Sequence, residues 1–339
     1  MNAANQVMGN GRVIPARIRS MVQERYGAPE DVLELREVDT PVPGEDEVLV
    51  RVRAGVVTGT DWHLMRGLPY VARPVTGLRR PRNLVPGLEL AGTVEAVGKE
   101  VRSLTRGDEV FGWGDGSYAE YASVPADQLV PKPVNITLEQ AAAVPIAAFT
   151  ALQGVRDKGE VGPGQKVLIT GASGGVGIYA VQIAKSYGAE VTGVCSTGKM
   201  DLVRSLGADH VVDYTREDFA ENGERYDVLI DLYGNPSLSS CRRVLEPGGT
   251  LVLIGGTGGR WFMGVDRWLR WGLASPFLKL KVRPLIHKDS REDLITIKDL
   301  IEAGKVTPVL DRTYPMERVA EAIQYVTDGH ARGQVVITT

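Results

Sequence analysis

The chain is poor in cysteine: Cys195 and Cys241 are its only two, too few for a disulfide framework, and both lie in segments that read as regular structure. Reduced thiols, with no apolar signal segment near Met1, give the expectation of a cytoplasmic protein. No stretch approaches the ~20 uninterrupted apolar residues that a membrane span needs. Nor is there an excess of charge. Lys and Arg number 39 against 42 Asp and Glu, a net of −3, which excludes the global basic footprint of a dedicated nucleic-acid binder. No nucleophile stands with a general base beside it, so acyl and phosphoryl transfer have little support.

Glycine, by contrast, is plentiful. Forty of 339 residues are glycine, well above the usual ~7%, and they cluster beside apolar runs as turns and ligand loops do. The length suits about two domains, and 43% apolar residues suffice for a sizeable core. Residues 1–20 are polar and aperiodic and read as a disordered extension. From Met21 to about Lys132 short strands alternate with glycine turns. Glu47–Arg53 alternates apolar and charged residues, Leu90–Val97 and Glu109–Phe111 follow, and the pattern predicts a small, partly open β-barrel or sandwich. Thr137 with Gln140 three residues on fits a capping box, opening an alanine-rich helix towards Val155 with a kink at Pro145.

From Gln165 the character changes. Lys166–Thr170, Glu190–Val194, Asp209–Val212, Asp227–Asp231 and Thr250–Ile254 are short apolar runs separated by helical stretches, with a sixth strand at Lys279–Ile286. Buried parallel strands covered by helices read this way, so a doubly wound α/β domain is expected over roughly 145–290. A helix (Glu292–Ala303), a strand near Val309, a helix (Glu317–Thr327) and a strand (Gln334–Thr338) form a tail long enough to return to the first domain. Two domains packed around a cleft are expected.

Gly171-Ala172-Ser173-Gly174-Gly175-Val176-Gly177 follows the strand Lys166–Thr170 and opens a helix. Glycines there let backbone approach a pyrophosphate, whose charge the helix N-terminus stabilises; the strand before and the helix after are the context that marks a dinucleotide loop. An NAD site places an acid at the end of the second strand, about 20 residues on. Here Ser196-Thr197-Gly198-Lys199 stands in its place, a pocket that would not repel a 2′-phosphate and in which Lys199 can pair with it. NADPH is favoured over NADH.

These residues resemble the medium-chain dehydrogenase/reductase superfamily, closest to its quinone oxidoreductase-like branch, from about Met21 to Thr339. The marks are Pro43–Val48, Gly59-Thr60-Asp61, Pro86–Gly92, Gly107–Gly112, the glycine loop and Gly329–Gly333. The resemblance implies a GroES-like catalytic domain made from both chain ends (21–144 and 291–339) around an inserted NADP-binding Rossmann domain (145–290). Zinc-dependent members carry Cys-Gly-Thr-Asp-x-His and then Gly-His-Glu. This chain reads Thr58-Gly59-Thr60-Asp61-Trp62-His63 and Gly87-Leu88-Glu89, so two ligand positions are lost, and no metal is expected because catalytic zinc needs three protein ligands. No cysteine lies between Gly98 and Pro131 for the structural zinc lobe either. No tyrosine is followed by a lysine four residues on, against a short-chain dehydrogenase.

Thr60 and His63 match the family's proton-relay positions. Asp61 joins them as a catalytic candidate, with a loop-holding role as its plainer reading, and Glu89 reads as a buried, hydrogen-bonded remnant. For the cofactor, the loop residues Ala172, Ser173, Gly174, Gly175 and Val176 are expected at the pyrophosphate, and Ser196, Thr197, Lys199 and Tyr214 at the adenosine phosphate. Asn235, Gly255, Gly256 and Thr257 follow the fourth and fifth strands, and Arg332 belongs to a family segment near the 2′-phosphate, although Gln334 stands where a lysine is common. The resemblance implies an NADPH-dependent, zinc-independent reductase of a quinone or α,β-unsaturated carbonyl, acting as a homodimer on an apolar small molecule. Enoyl reduction, a zinc-free alcohol dehydrogenase-like activity and non-catalytic NADPH binding are the alternatives. Two basic segments stand apart: Arg66–Arg82 reads as a solvated loop or a rim attracting an acidic group, and the tryptophan-rich stretch 260–284 as a lid or dimer edge, with a basic helix lying on a membrane surface as its alternative.

Overall fold

A computed structural model describes residues 14–254, 261, 271 and 279–339. The chain begins with an antiparallel pair, β1 (Arg17–Gln23) and β2 (Leu33–Asp39). The strand thus starts at Arg17, four residues inside the stretch expected to be an extension. Ile18 and Ser20 both face inward, and a buried Ser20 disguises the alternation.

The first layer of the barrel follows as β3 (Glu47–Val57), β4 (Glu89–Val97), β5 (Glu109–Trp113), β6 (Tyr121–Pro125) and β7 (Leu129–Pro131). Val48, Val50 and Val52 alternate along β3 and meet Leu90, Val94, Val110 and Val124 in one apolar cluster, as a strand with one buried face requires. The capping box at Thr137 forms as expected, with Gln140 answering Thr137. The helix does not run on with a kink, however. It stops at Ala142, and Pro145 occupies the first turn of a second helix, Pro145–Leu152, where its missing N–H costs nothing.

The α/β unit is built from β8 (Lys166–Thr170), β9 (Glu190–Cys195), β10 (His210–Asp213), β11 (Tyr226–Asp231), β12 (Leu245–Leu253) and β13 (Lys281–Pro284). Among the described residues they form one parallel sheet of order β10-β9-β8-β11-β12-β13. Numbered within the unit this is 3-2-1-4-5-6, the doubly wound order, whose ligand crevice opens at the carboxyl ends where the order reverses, between β8 and β11. The tail then supplies β14 (Leu310–Pro315) and β15 (Gln334–Thr338). β15 runs antiparallel to β3, pairing Val336 with Val56, so the end of the chain completes the barrel that its beginning started.

Both sheets share one core. Val56, Ala91 and Phe111 of the barrel pack in a single cluster with Val167, Ile169 and Val191 of the parallel sheet, joined through the two alanine-rich helices. The two units are therefore fixed against each other by dense packing, which holds the barrel's Thr58 turn and the crevice in one frame.

Candidate active site

The first element of the site is the helix Gly59–Met65, which leaves β3 at Val57. Its start is set by a reciprocal cap: Asp61 accepts from the Thr58 backbone N–H at 2.8 Å and from the Thr58 hydroxyl at 2.8 Å, while the Thr60 N–H reaches the Thr58 hydroxyl oxygen at 3.2 Å. Asp61 is 4% exposed; burial pushes its carboxyl up, and the Thr58 bonds oppose that. Its geometry is that of a cap, so of its two sequence readings the loop-holding one describes what its oxygens do. Thr60 is exposed at the helix start, beside Gly59, which faces open space.

His63 lies one turn on, half-buried, with Trp62 edge-on at 4.9 Å. Burial lowers its pKa, so the imidazole is neutral at physiological pH. Its Nδ1 is buried without a hydrogen-bond partner. Glu89 opens β4 and is 2% exposed; one carboxyl oxygen accepts the Ile146 N–H at 2.7 Å at the start of the helix Pro145–Leu152. Burial is the main cause that raises its pKa to about 8, with Asp61 adding to it. The reading of Glu89 as a buried, hydrogen-bonded group agrees with this geometry.

The glycine loop joins β8 to the helix Gly177–Ser186. Gly171 adopts φ +67°, a left-handed turn that glycine makes without strain. At Gly177 a Cβ would stand 2.1 Å from the Gly171 carbonyl oxygen, so no side chain fits where the loop enters the helix. Ala172 and Ser173 are buried under the turn, the Ala172 N–H bonded to the Val194 carbonyl at 3.1 Å, while Gly174, Gly175 and Val176 are partly open. The close backbone approach and the helix N-terminus fit a pyrophosphate. Sequence reasoning missed the clasp on this loop: Gln334 of β15 donates to the Gly175 carbonyl at 3.2 Å.

At the end of β9, Lys199 donates to the carbonyls of Gly329 and Ala331 at 2.9 and 2.8 Å. Burial and the neighbouring Arg332 lower its pKa. A Cβ at Gly198 would lie 3.7 Å from an Arg332 guanidinium nitrogen. Two cations thus converge on the Ser196–Lys199 turn, though Lys199 is already engaged with carbonyls and is not the free point charge read from the sequence. Arg332 is steadied through its N–H, bonded to Asp311 at 3.1 Å. An acid is close by after all. Asp213, at the end of β10, accepts from the hydroxyls of Thr197 and Thr215, and those bonds hold its carboxyl below the usual range. It ends β10, not β9, where an NAD site places its ribose-binding acid. Ser196 is partly open; Tyr214 is 59% exposed, its N–H bonded to the Cys195 carbonyl. Asn235 follows β11 in a left-handed conformation at φ +46°. Gly255, Gly256 and Thr257 lie outside the described residues, as does most of the tryptophan-rich stretch 260–284. At the crevice itself Thr170 donates to Asp231 at 2.9 Å, tying the ends of β8 and β11 together.

Two family models match the chain, one for an alcohol dehydrogenase GroES-like domain over residues 44–134 and one for a zinc-binding dehydrogenase over 206–337. An NADPH-dependent alkenal/one oxidoreductase, chloroplastic, of Arabidopsis thaliana is 33% identical over 339 residues, covering 96% of this chain and 80% of the relative. The chloroplast envelope quinone oxidoreductase homolog of the same plant is 31% identical over 326 residues, covering 92% and 95%. Among solved structures, the quinone oxidoreductase from Coxiella burnetii superimposes with a TM-score of 0.84 at 25% identity, over 95% of this chain and 99% of that one. Zinc, which the second family model's description implies, does not fit the residues here. The Thr58 hydroxyl is spent on Asp61, Leu88 has no donor atom, and Glu89 is bonded to backbone.

Proposed function

The chain belongs to the medium-chain dehydrogenase/reductase superfamily, in its quinone oxidoreductase-like branch, and from that premise we propose that it is an NADPH-dependent, zinc-independent reductase of quinones or α,β-unsaturated carbonyls. The observation that carries the zinc-free reading is the Thr58–Asp61 cap: it occupies the position from which a thiolate would have to hold the metal.

When bound, NADPH supplies a hydride to the conjugated acceptor. The rest falls to the chain. The 171–177 loop holds the pyrophosphate on a helix N-terminus, and Arg332, braced by Lys199 and Asp311, takes the 2′-phosphate. Hydride addition leaves negative charge on the acceptor oxygen, to which the hydroxyl of Thr60, exposed at the helix start, would donate. The enolate becomes product by taking up a proton, which the neutral His63 would draw from water and pass on through the Thr60 hydroxyl. Asp61 contributes by holding the turn that aims Thr60. With β1 starting at Arg17, the catalytic unit is taken as 17–144 with 291–339 and the cofactor unit as 145–290. A cytoplasmic homodimer is the form expected.

The test is a panel of acceptors (a naphthoquinone, an enone, an enoyl thioester and a saturated ketone), each followed by NADPH oxidation. Turnover of the quinone or enone is the expected result. Turnover of the enoyl thioester alone would move the assignment to enoyl reduction, and tight NADPH binding without turnover of any would make the protein a cofactor-binding one.

A further inference from the structure

Between Trp62 and Leu88 the chain has five arginines (66, 73, 79, 80 and 82) and not one Asp or Glu. Two of them are used internally. The Arg66 guanidinium stacks over Trp62 at 4.4 Å, and Arg73 lies between the rings of Tyr26 and Tyr70 at 4.9 and 4.6 Å while donating to the Gly67 carbonyl. Arg79, Arg80 and Arg82 are exposed and have no ion pair among the described residues, whereas surface arginines elsewhere, such as Arg19, Arg36 and Arg318, sit on carboxylates.

The same stretch exposes large apolar side chains. Val71, Val75 and Leu78, spaced at i, i+4 and i+7 along the turns Tyr70–Ala72 and Arg73–Thr76 and just beyond them, are 50%, 73% and 70% exposed. Scattered single apolar residues need no explanation, but three such residues within eight, followed closely in the chain by three guanidinium groups without an ion pair among the described residues, do. The lobe is also braced. The Tyr26 hydroxyl donates to the Gly77 carbonyl at 2.7 Å and the Arg82 N–H to the Thr76 carbonyl at 2.8 Å. Trp261, itself 63% exposed, packs edge-on against Tyr70 at 5.4 Å. Asp115 meets the lobe only at its far end, through Asn83.

We propose that this lobe docks the protein on the surface of a bilayer containing anionic phospholipid. The charge is complementary to lipid phosphates. Apolar side chains at such high exposure stand proud of the surface: they can enter a fluid acyl boundary, whereas a protein partner would need a matching pocket for each. Two weak signals, a cationic patch and apolar insertion, together give reversible surface binding. The lobe directly follows the helix that carries Thr60 and His63, so docking brings that end of the barrel to the lipid phase. The inference stands whatever the acceptor proves to be.

The experiment is co-sedimentation of the full chain with vesicles of phosphatidylcholine, with and without phosphatidylglycerol, at low and high salt. Binding is expected only with phosphatidylglycerol and is expected to weaken with salt, as a screened attraction does. Each arginine at an anionic surface is worth about 1 kcal/mol, so the triple variant Arg79→Gln/Arg80→Gln/Arg82→Gln should bind on the order of 100-fold more weakly. Val75→Ser/Leu78→Ser should also lose binding, and both variants should keep wild-type turnover of a water-soluble acceptor. No binding to phosphatidylglycerol vesicles, or binding that the triple variant retains in full, would overturn the proposal. So would a change from dimer to monomer in Val75→Ser/Leu78→Ser without any change in lipid binding, since the face would then join two copies of the chain.

Discussion

The buried Glu89 carboxyl accepts the Ile146 N–H at 2.7 Å, so a strand of the barrel is stitched to the helix that leads into the cofactor unit. That bond lies in a setting that favours the protonated acid, with a pKa of about 8 caused chiefly by burial. The folded state therefore keeps a proton that the unfolded chain releases near the ordinary carboxylate value. Stability from this group is complete below that ordinary value and is lost as pH rises through about 8. Glu89→Gln, which cannot ionise and retains an oxygen for Ile146, should remove a slope worth on the order of a few kcal/mol between about pH 5 and 8. Thermal melts of both proteins across that range check it; parallel curves would contradict it.

The Thr58 cap makes a second prediction. Thr58→Val removes the hydroxyl that both donates to Asp61 and accepts from Thr60, and should cost about 0.5–2 kcal/mol of stability. Because the same turn aims Thr60, kcat should fall while the dissociation constant of NADPH stays constant. Denaturant titration and steady-state kinetics report the two effects separately.

The proton-handling pair can be tested through pH. Thr60→Val and His63→Gln should each lower kcat by about 100-fold or more. With its pKa depressed by burial, His63 should leave the wild-type rate flat through neutrality and produce a break only on the acid side of the ordinary imidazole value. His63→Gln should lack that break. A break above the ordinary value would mean that the imidazole is charged in the working enzyme.

Cofactor choice should respond to the cation pair. Arg332→Gln should weaken NADPH by about 10- to 100-fold and leave NADH unchanged, the range expected for losing a charge-assisted bond. Lys199→Met should act in the same direction by releasing the Gly329–Ala331 turn that carries Arg332. Ser196→Asp should shift preference towards NADH. Fluorescence titration with both cofactors measures all three. Gly177→Ala serves as the companion test of the loop, since its Cβ would collide with the Gly171 carbonyl and should abolish binding of either cofactor.

Much of this arrangement was legible from local pattern. Continuous apolar runs marked β8 and β15 at the residues where they lie, because a strand buried on both faces needs no alternation to be recognised. Thr137 and Gln140 announced their cap for the same reason: both partners are three residues apart. What stayed hidden depends on contacts between distant segments. Lys199 reads as a free cation until the 329–331 turn folds over it, and Asp213, just past the expected third strand, has no local sign that Thr197 and Thr215 close on it. The clasp of Gln334 on Gly175 left no local signal at all. Pro145 was misread because a proline within an alanine-rich run looks like a kink; only the break at Ala143–Val144 shows that it starts a helix.

The central claim is hydride transfer from NADPH to a conjugated carbonyl without a metal. The most direct measurement is NADPH oxidation with an enone, made before and after exhaustive chelation, with the metal content of the same sample determined. Full activity in metal-free protein is the predicted result. Activity that chelation abolishes and zinc restores would contradict the account, and would mean that the Thr58–Asp61 turn opens to admit a metal.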